Sequence, residues 1–240
     1  MTFLDPAFEA AAGKALSRGY CPDGVLAHAS ALQVKGSRSV ADLAHFTRLE
    51  RLILSGHSTR SLNELGPHEG LASLKVEFGP LRTLVVEGLP ALHTLDVACN
   101  AIEDVEPLFD HPSLWHVDLR GNPLTERSYR ERAKALLADI RSRVLEPRWA
   151  NTRVVLPGEE AWRLTRMLRE RGLEANVLDR GSGAETWKDE ELTLITPTSR
   201  GRRGKGGIRV DAETLRRVAL KVDDAETLTE RMAQEMAGRA

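Results

Sequence analysis

Residues 92–108 read LHTLDVACNAIEDVEPL, and residues 114–124 restart the same pattern as LWHVDLRGNPL. In each stretch an apolar residue is followed by a second one three positions later and a third one two positions after that. The spacing occurs five times in the first half of the chain, as Ala29-Leu32-Val34, Leu49-Leu52-Leu54, Leu71-Leu74-Val76, Leu92-Leu95-Val97 and Leu114-Val117-Leu119. The middle residues of successive copies are 20, 22, 21 and 22 positions apart. A period in this range predicts a solenoid, because one such unit is too short to bury its own core and must stack on its neighbours.

A second series of apolar residues lies between these strand signals, mostly three positions apart. This spacing predicts one helical turn or a 3₁₀ segment in each connection between strands. The series consists of Val40, Leu43, Phe46, Leu62, Leu65, Leu81, Leu84, Leu89, Ile102, Val105 and Leu108.

The unit that spans residues 92–124 resembles the short-repeat class of the leucine-rich repeat superfamily. In that family an asparagine at the turn forms hydrogen bonds with backbone groups inside the solenoid, and Asn100 and Asn122 match this position. The matching positions of the earlier repeats hold Ser37, His57 and Gly79. The resemblance implies an α/β solenoid over residues 26–124, with a parallel sheet on its concave side and a role in binding proteins.

The front end of the array carries the signals of a helical cap. A solenoid needs such caps because its terminal repeats would otherwise expose their cores. Asp5 directly before Pro6 is a helix start signal, and Gly19 is a stop signal. Residues 5–18 are therefore expected to form an amphipathic helix over the first repeat.

The back end of the array carries a second set of cap signals. Thr125 can act as the N-cap of a helix that runs to about residue 145. The run over residues 121–130 resembles the cap that closes cytoplasmic arrays of this class. With both caps included, the repeat domain is predicted to span residues 1–147.

The composition excludes several classes of protein. The 34 basic and 35 acidic residues give a net charge of −1, so the whole chain is neither a polycation nor a polyanion. No stretch approaches 18 consecutive apolar residues, and the acidic N-terminus is unlike a signal peptide. Cys21 and Cys99 provide neither a disulfide framework nor a metal-binding pair. A cytoplasmic protein without a membrane segment is expected, and 27 arginines against 7 lysines favour a bacterial source.

The second half of the chain shows no family resemblance. Residues 148–240 are predicted to form a small α/β or α+β domain, because strand and helix signals follow one another at short spacing. The expected strands are residues 154–156, 175–178, 191–196 and 208–210, and the expected helices are residues 159–171 and two that begin at Asp211 and Asp224. Residues 20–125 hold 13 acidic and 8 basic side chains, whereas residues 148–240 hold 18 basic and 16 acidic ones.

The functional prediction concerns the concave side of the array. In each predicted strand, the residue between two apolar ones points away from the core. The resulting face has mixed charge, with its densest group in the last two repeats. We expect a protein partner to bind there, because arginine and other anchors on such faces meet complementary surfaces. The predicted contact residues are Arg51, Ile53, Lys75, Glu77, Asp96, His116, Asp118 and Arg120.

An alternative function follows from residues 199–207, which read SRGRRGKGG. Four positive charges among four glycines suit phosphate, because glycine allows the backbone to approach and arginine binds phosphate with two hydrogen bonds. The alternative is therefore nucleic-acid or phospholigand binding through Arg200, Arg202, Arg203 and Lys205. The segment departs from the nucleotide-binding Walker pattern, and a solvated connection without a binding role is also open.

Catalysis is the least favoured interpretation. The sequence contains no recognisable nucleophile motif and no zinc-protease motif, so no catalytic residue and no cofactor is predicted. All seven histidines lie in the repeat half, but without a helical i, i+4 pair or a cysteine companion. No metal site is predicted, and the oligomeric state stays open.

Overall fold

Six parallel strands form one sheet, and strands that follow one another along the chain are hydrogen-bonded neighbours in it. The computed structural model describes residues 2–21, 25–143, 152–179, 192–197 and 207–238. The strands are β1 (Ala31–Lys35), β2 (Arg51–Ser55), β3 (Ser73–Glu77), β4 (Thr94–Asp96), β5 (His116–Asp118) and β6 (Arg153–Val155). One register row contains the apolar residues Leu32, Leu52, Leu74, Leu95, Val117 and Val154. The five predicted strand positions and the repeat architecture are confirmed.

One 3₁₀ segment precedes β1 at Leu26–His28, and three of the connections between strands contain one, at Ala41–His45, Leu62–Leu65 and Glu106–Leu108. The connection between β3 and β4 has no helical turn, so the prediction from its apolar spacing is wrong there. In that connection Arg82 and Thr83 donate backbone hydrogen bonds to the carbonyl of Arg60, and the Thr83 carbonyl accepts one from Leu62. These backbone groups pair with the preceding repeat, which leaves them unavailable for a local turn.

Strands and connections enclose one continuous apolar core along the array. Leu52, Leu74 and Leu95 of the strands and Leu43 of a connection are completely buried in it. Because each repeat packs mainly on its neighbours, the stability of the array depends on an unbroken series of such contacts.

Asn100 and Asn122 form a ladder of hydrogen bonds inside the array. The Nδ2 of Asn122 donates to the carbonyls of Val97 at 2.9 Å and Leu119 at 3.0 Å. Its Oδ1 accepts from the backbone N–H groups of Asn100 at 3.2 Å and Ile102 at 3.1 Å. Asn100 donates in the same way to carbonyls of its own and the preceding repeat, and both side chains are fully buried. The role implied by the family resemblance is thus present at both positions.

A histidine and a glycine replace asparagine at two earlier ladder positions. His57 is buried, and its ring lies against Gly79, where an added Cβ atom would lie 2.2 Å from the ring atoms. Gly79 therefore provides the space that the larger His57 side chain needs.

The first cap is α1 (Pro6–Ser17), and Asp5 ties it to the array. One carboxylate oxygen of Asp5 accepts from the N–H of Ala7 at 2.9 Å, and the other accepts from Arg38 at 2.6 Å and Ser39 at 3.1 Å. Burial raises the pKa of the Asp5 carboxyl, but these three N–H donors and the Arg38 charge outweigh it and lower the pKa overall. The side chain thus serves as a helix cap and as a link to the first repeats.

The second cap begins with a π-helical turn, Ser128–Arg132, and continues as α2 (Ala133–Arg143). The Oγ1 of Thr125 accepts from the backbone N–H of Ser128 at 3.2 Å, as expected of an N-cap. Leu136 and Ile140 bury one face of α2 against the array core. Residues 144–151, which include the end of the predicted helix, lie outside the described residues.

The strand predicted at residues 154–156 belongs to the repeat sheet and not, as expected, to a separate sheet of the second domain. Strand β6 pairs with β5 in parallel, and Leu119 donates a backbone hydrogen bond to Val155 at 2.8 Å. Val154 and Leu156 pack against the array core, which explains why this segment joins the first sheet.

The second half contains a three-stranded antiparallel sheet of β7 (Asn176–Leu178), β8 (Leu192–Ile195) and β9 (Ile208–Val210). The helices that the structure describes in this half are α3 (Glu159–Glu170), α4 (Ala212–Ala219) and α5 (Ala225–Ala237). Asp211 and Asp224 cap α4 and α5 with their side chains, as predicted. A second apolar core lies between this sheet and the helices. Whether residues 148–240 form a separate domain stays a prediction.

Two buried side chains join the second half to the array. The Nε1 of Trp162 on α3 donates to the carbonyl of Leu124 at 2.7 Å, and the indole belongs to the array core. The Nδ2 of Asn176 on β7 donates to the carbonyls of Asn100 and Gly121, each at 2.5 Å. The asparagine ladder is thereby continued by a residue from outside the repeats.

Candidate functional site

The outward side chains of the six-stranded sheet form three rows, because successive residues of a strand alternate between its two faces. We call this surface the concave face. The first row holds Ala31, Arg51, Ser73, Thr94, His116 and Arg153, and the second holds Gln33, Ile53, Lys75, Asp96, Asp118 and Val155. The third row holds Lys35, Ser55 and Glu77 and continues through Ala98 and Arg120 at the strand ends. All eight predicted contact residues lie on this face.

Lys75 lies at the centre of the concave face between two carboxylates. Its Nζ is 2.5 Å from Asp96 and 2.8 Å from Glu77, and the Ser55 hydroxyl donates to Glu77 at 2.9 Å. Burial lowers the pKa of Lys75, but the hydrogen bonds and charges of Asp96 and Glu77 outweigh it and raise the pKa. Residues from three strands are therefore held in fixed positions around one ammonium group.

Arg120 and Asp118 form a second charged group on the last repeat. The guanidinium Nε lies 3.0 Å from both carboxylate oxygens of Asp118, and a terminal nitrogen lies 2.5 Å from one of them. The hydrogen bond with Asp118 raises the pKa of Arg120. These parallel hydrogen bonds between guanidinium and carboxylate fix the orientation of both side chains.

His116 forms a hydrogen bond with a residue of the added strand β6. The Nε of Arg153 donates to the Nδ1 of His116 at 3.1 Å, so Nδ1 carries no proton in this arrangement. Burial lowers the pKa of His116, and the Arg153 charge lowers it further, against the opposite effect of Asp118 and Asp96. The imidazole is thus held neutral beside an arginine.

Asp179 brings a carboxylate from the second half of the chain towards the last repeat. Its Oδ2 accepts from the N–H of Gly158 at 2.6 Å, and a Cβ at position 158 would lie 2.2 Å from that oxygen. Burial raises the pKa of Asp179 and outweighs the Gly158 N–H and the Arg120 charge, which lower it. Neither Asp179 nor Arg153 can be identified as a site residue from the sequence, because neither belongs to a recognisable repeat.

Lys35 and Arg51 lie at the other end of the concave face, on β1 and β2. Both are exposed, and neither forms an ion pair with any residue that the structure describes. Ile53 is half-buried beside them in the second row. The structure therefore separates the predicted contact residues into an internally paired group on β3 to β5 and a smaller group on β2.

The residues of the alternative site cannot be placed in this geometry. Arg200, Arg202, Arg203 and Lys205 lie outside the described residues. Within the described ranges, no group of three or more histidine, cysteine or acidic side chains could hold a metal ion. Among the same residues, no helix is both long and apolar enough to cross a membrane.

The parallel sheet, the asparagine ladder and the two caps together define an array of leucine-rich repeats. A comparison with protein-family models finds no match, and a comparison with curated proteins also finds none. Solved structures do match. They include a chain of the Drosophila melanogaster SNF/U2A′ complex, with 18% identity and a TM-score of 0.40 over 50% of this chain and 76% of that one.

Two internalins of Listeria monocytogenes also match. Internalin C2 is 18% identical, with a TM-score of 0.42 over 57% of this chain and 71% of that one. Internalin F is 17% identical, with a TM-score of 0.23 over 52% and 58% of the two chains. None of these likenesses bears on what this chain binds.

Proposed function

We propose that the chain is a non-enzymatic interaction module that binds a protein partner on the concave face. The observation that carries this proposal is the arrangement around Lys75 and Arg120, in which three carboxylates are held by hydrogen bonds on a rigid sheet. Side chains that are already ordered lose little conformational freedom when a partner binds. Such a surface suits recognition better than a sheet face with mobile charges.

The size of the face also suits a protein ligand. Six strands spaced about 4.8 Å apart give a face about 24 Å wide. A stable interface buries about 800 Å² on each partner. A partner centred on the rows would therefore also contact the turns at the strand ends, where Arg120 and Ala98 lie.

The proposed contact set contains the eight predicted residues and one more from β6. It consists of Arg51, Ile53, Lys75, Glu77, Asp96, His116, Asp118, Arg120 and Arg153. A reducing compartment such as the bacterial cytoplasm is part of the proposal, since Cys21 and Cys99 are both buried thiols.

The proposal is tested by affinity purification of the tagged protein from the lysate of its source, with and without nuclease treatment. The test variant is Arg51→Ser/Lys75→Ser/Arg120→Ser, which removes an exposed arginine of β2 and the two cations that hold the carboxylates of the concave face. The matched control is Arg48→Ser/Arg60→Ser/Arg82→Ser, whose three exposed arginines lie in connecting segments. Thermal unfolding of both variants verifies that they are folded.

A stoichiometric protein that is retained after nuclease treatment, lost with the test variant and kept with the control would support the proposal. Equal retention by both variants would refute binding on the concave face. Loss of all bound material on nuclease treatment would favour the nucleic-acid alternative instead.

A further inference from the structure

The concave face differs in charge from the rest of the array. Its three rows contain five cations and three carboxylates, so with His116 neutral the face has a net charge of +2. The remaining residues of the segment 20–125 hold ten acidic and four basic side chains, a net charge of −6. The strands thus present positive charge on an otherwise acidic solenoid. The charged members of the face are Lys35, Arg51, Lys75, Arg120 and Arg153 with Glu77, Asp96 and Asp118.

The carboxylates of this face are already engaged, whereas several cations are not. Glu77 and Asp96 hold Lys75, and Asp118 holds Arg120. Among the described residues, by contrast, Lys35, Arg51 and Arg153 form no ion pair, and all three are exposed. Arg153 donates a hydrogen bond only to the neutral ring of His116. The charge that is available to a ligand is therefore positive.

We propose that the concave face takes an acidic protein segment whose carboxylates meet these three cations; this inference rests on the proposed function. Arg51 and Arg153 lie in the same register row, four strand spacings apart, which corresponds to about 19 Å of sheet. The segment carries acidic side chains at two places separated by about this distance. Between them it passes over the paired charges of β3 to β5, where neutral side chains are preferred because no charge is left unpaired.

The face suits an acidic protein better than a nucleic acid. Each strand of a nucleic-acid duplex carries one phosphate per 3.4 Å or so of helix axis. A strand that followed the sheet from Arg51 to Arg153 would therefore hold several phosphates close to Glu77, Asp96 and Asp118. The three rows also contain no phenylalanine, tyrosine or tryptophan on which a base could stack. A protein segment can place its carboxylates at the two ends of the face and avoid the centre.

The test uses fluorescein-labelled peptides as probes. The acidic probe carries two pairs of glutamates separated by a neutral spacer of about six residues, which spans about 20 Å when extended. The basic probe has lysine in place of each glutamate, and a single-stranded DNA of about 12 nucleotides is the third probe. Binding to the full chain is measured by fluorescence anisotropy at about 50 and about 200 mM NaCl.

Two triple variants with the same change in net charge separate site-specific binding from general electrostatic attraction. Lys35→Glu/Arg51→Glu/Arg153→Glu is expected to weaken binding of the acidic probe by about tenfold or more. Arg48→Glu/Arg60→Glu/Arg82→Glu is expected to change it by less than about threefold, because these side chains lie outside the rows. Equal effects of the two variants, or tighter binding of the basic probe or the DNA, would overturn the proposal.

Carbodiimide cross-linking locates the bound probe, since it joins a carboxylate to a nearby amine as an amide while the carbodiimide takes up the lost water. The chain has only seven lysines, so the position of the link is informative. The expected link is to Lys35, which is exposed and forms no ion pair within the described residues. A dominant link to Lys205 would overturn the proposal in favour of the segment 199–207.

Two further outcomes separate this inference from the proposed function and from self-association. If a partner depends on the concave face but the acidic probe does not bind, the proposed function stands and the charge inference fails. The rest of the array is acidic, so a second copy of the chain is another candidate ligand for the concave face. Oligomers in sedimentation that disappear with the Lys35→Glu/Arg51→Glu/Arg153→Glu variant would therefore overturn the proposal and assign the face to a contact between copies.

Discussion

The rings of Tyr129 and Trp162 stack face to face, with their centroids 4.1 Å apart and their planes 8° from parallel. Tyr129 belongs to the turn that opens the second cap, and Trp162 belongs to α3 of the second half. The Tyr129 hydroxyl donates to the carbonyl of Pro157 at 3.0 Å, which reinforces the same junction. The last repeat is therefore covered by side chains from both halves of the chain.

Replacement of Trp162 is expected to destabilise the whole molecule. Trp162→Ala removes a buried aromatic group and leaves the Leu124 carbonyl without its donor, which together cost about 3–5 kcal/mol. Trp162→Phe keeps an aromatic ring at this position but loses the donor and part of the buried ring, so it should cost less, about 1–3 kcal/mol. The free energy of unfolding is measured by urea titration with far-ultraviolet circular dichroism. The control is Leu220→Ala at a largely exposed position, where a change below about 0.5 kcal/mol is expected.

Loss of the amide at position 122 is expected to disrupt the ladder at its centre. Asn122→Ala leaves the buried N–H groups of Asn100 and Ile102 without their acceptor and removes the Asn122 donor from the Leu119 carbonyl. Each unsatisfied group costs about 1–3 kcal/mol, so a total loss of at least 3 kcal/mol or so is expected in the same unfolding assay. Asn63→Ala, at an exposed position of a 3₁₀ segment, is the matched control. Similar values for the two variants would contradict the ladder as a stabilising element.

The repeat fold could be predicted from the sequence because stacking requires the same apolar spacing in every unit. The sequence does not identify β6 as a member of this sheet, since Arg153–Val155 follows a long interruption and shows too few apolar positions to extend the period. Its pairing with β5 and the packing of Val154 and Leu156 on the array core assign it there. Periodicity therefore identifies repeats, but it does not identify a strand added from elsewhere in the chain.

The concave face was predictable for the same reason, because strand alternation determines which residues point outwards. Asp179 and Arg153 were not predictable. The pairing of β6 with β5 brings Arg153 to His116, and the docking of the second half brings Asp179 towards Arg120. The pairing of charges within the face also depends on side-chain distances that a one-letter pattern does not contain. Lys75, for example, reaches Asp96 on the next strand, 21 positions further along the chain.

The close contact between the His57 ring and Gly79 predicts that substitutions at these two positions are energetically coupled. Gly79→Ala places a methyl group where the His57 ring lies, and overpacking of this kind costs about 1–3 kcal/mol. His57→Ala removes the ring from this space and has its own cost in stability. In the His57→Ala background, Gly79→Ala should then be nearly neutral. A double-mutant cycle with urea unfolding measures this coupling, and additive effects would show that the two positions are independent. Gly70→Ala, where the nearest atom to an added Cβ is 3.7 Å away, serves as the control for glycine replacement.

Acidification below neutral pH is expected to weaken the fold through buried histidines. His111 is buried, and its Nε2 donates to the Leu89 carbonyl at 3.0 Å. Burial lowers the pKa of His111 below its ordinary value, with a further lowering by Arg143, and burial lowers that of His68 as well. The unfolded chain therefore binds protons at these histidines more readily than the folded one. The stability that the neutral histidines contribute is complete above about pH 6.5 and is lost as the pH falls below it.

The pH dependence attributed to His111 can be isolated with His111→Gln, which retains a side-chain donor and cannot titrate. The free energy of unfolding of the unaltered protein should decrease between about pH 7 and pH 5, by at most about 1.4 kcal/mol per pH unit for each proton bound. The variant should lose part of this decrease, and His68→Gln/His111→Gln should lose more. Asn63→Ala, which removes no titrating group, should keep the slope of the unaltered protein. A slope that is the same in all four proteins would mean that the buried histidines do not cause the acid sensitivity.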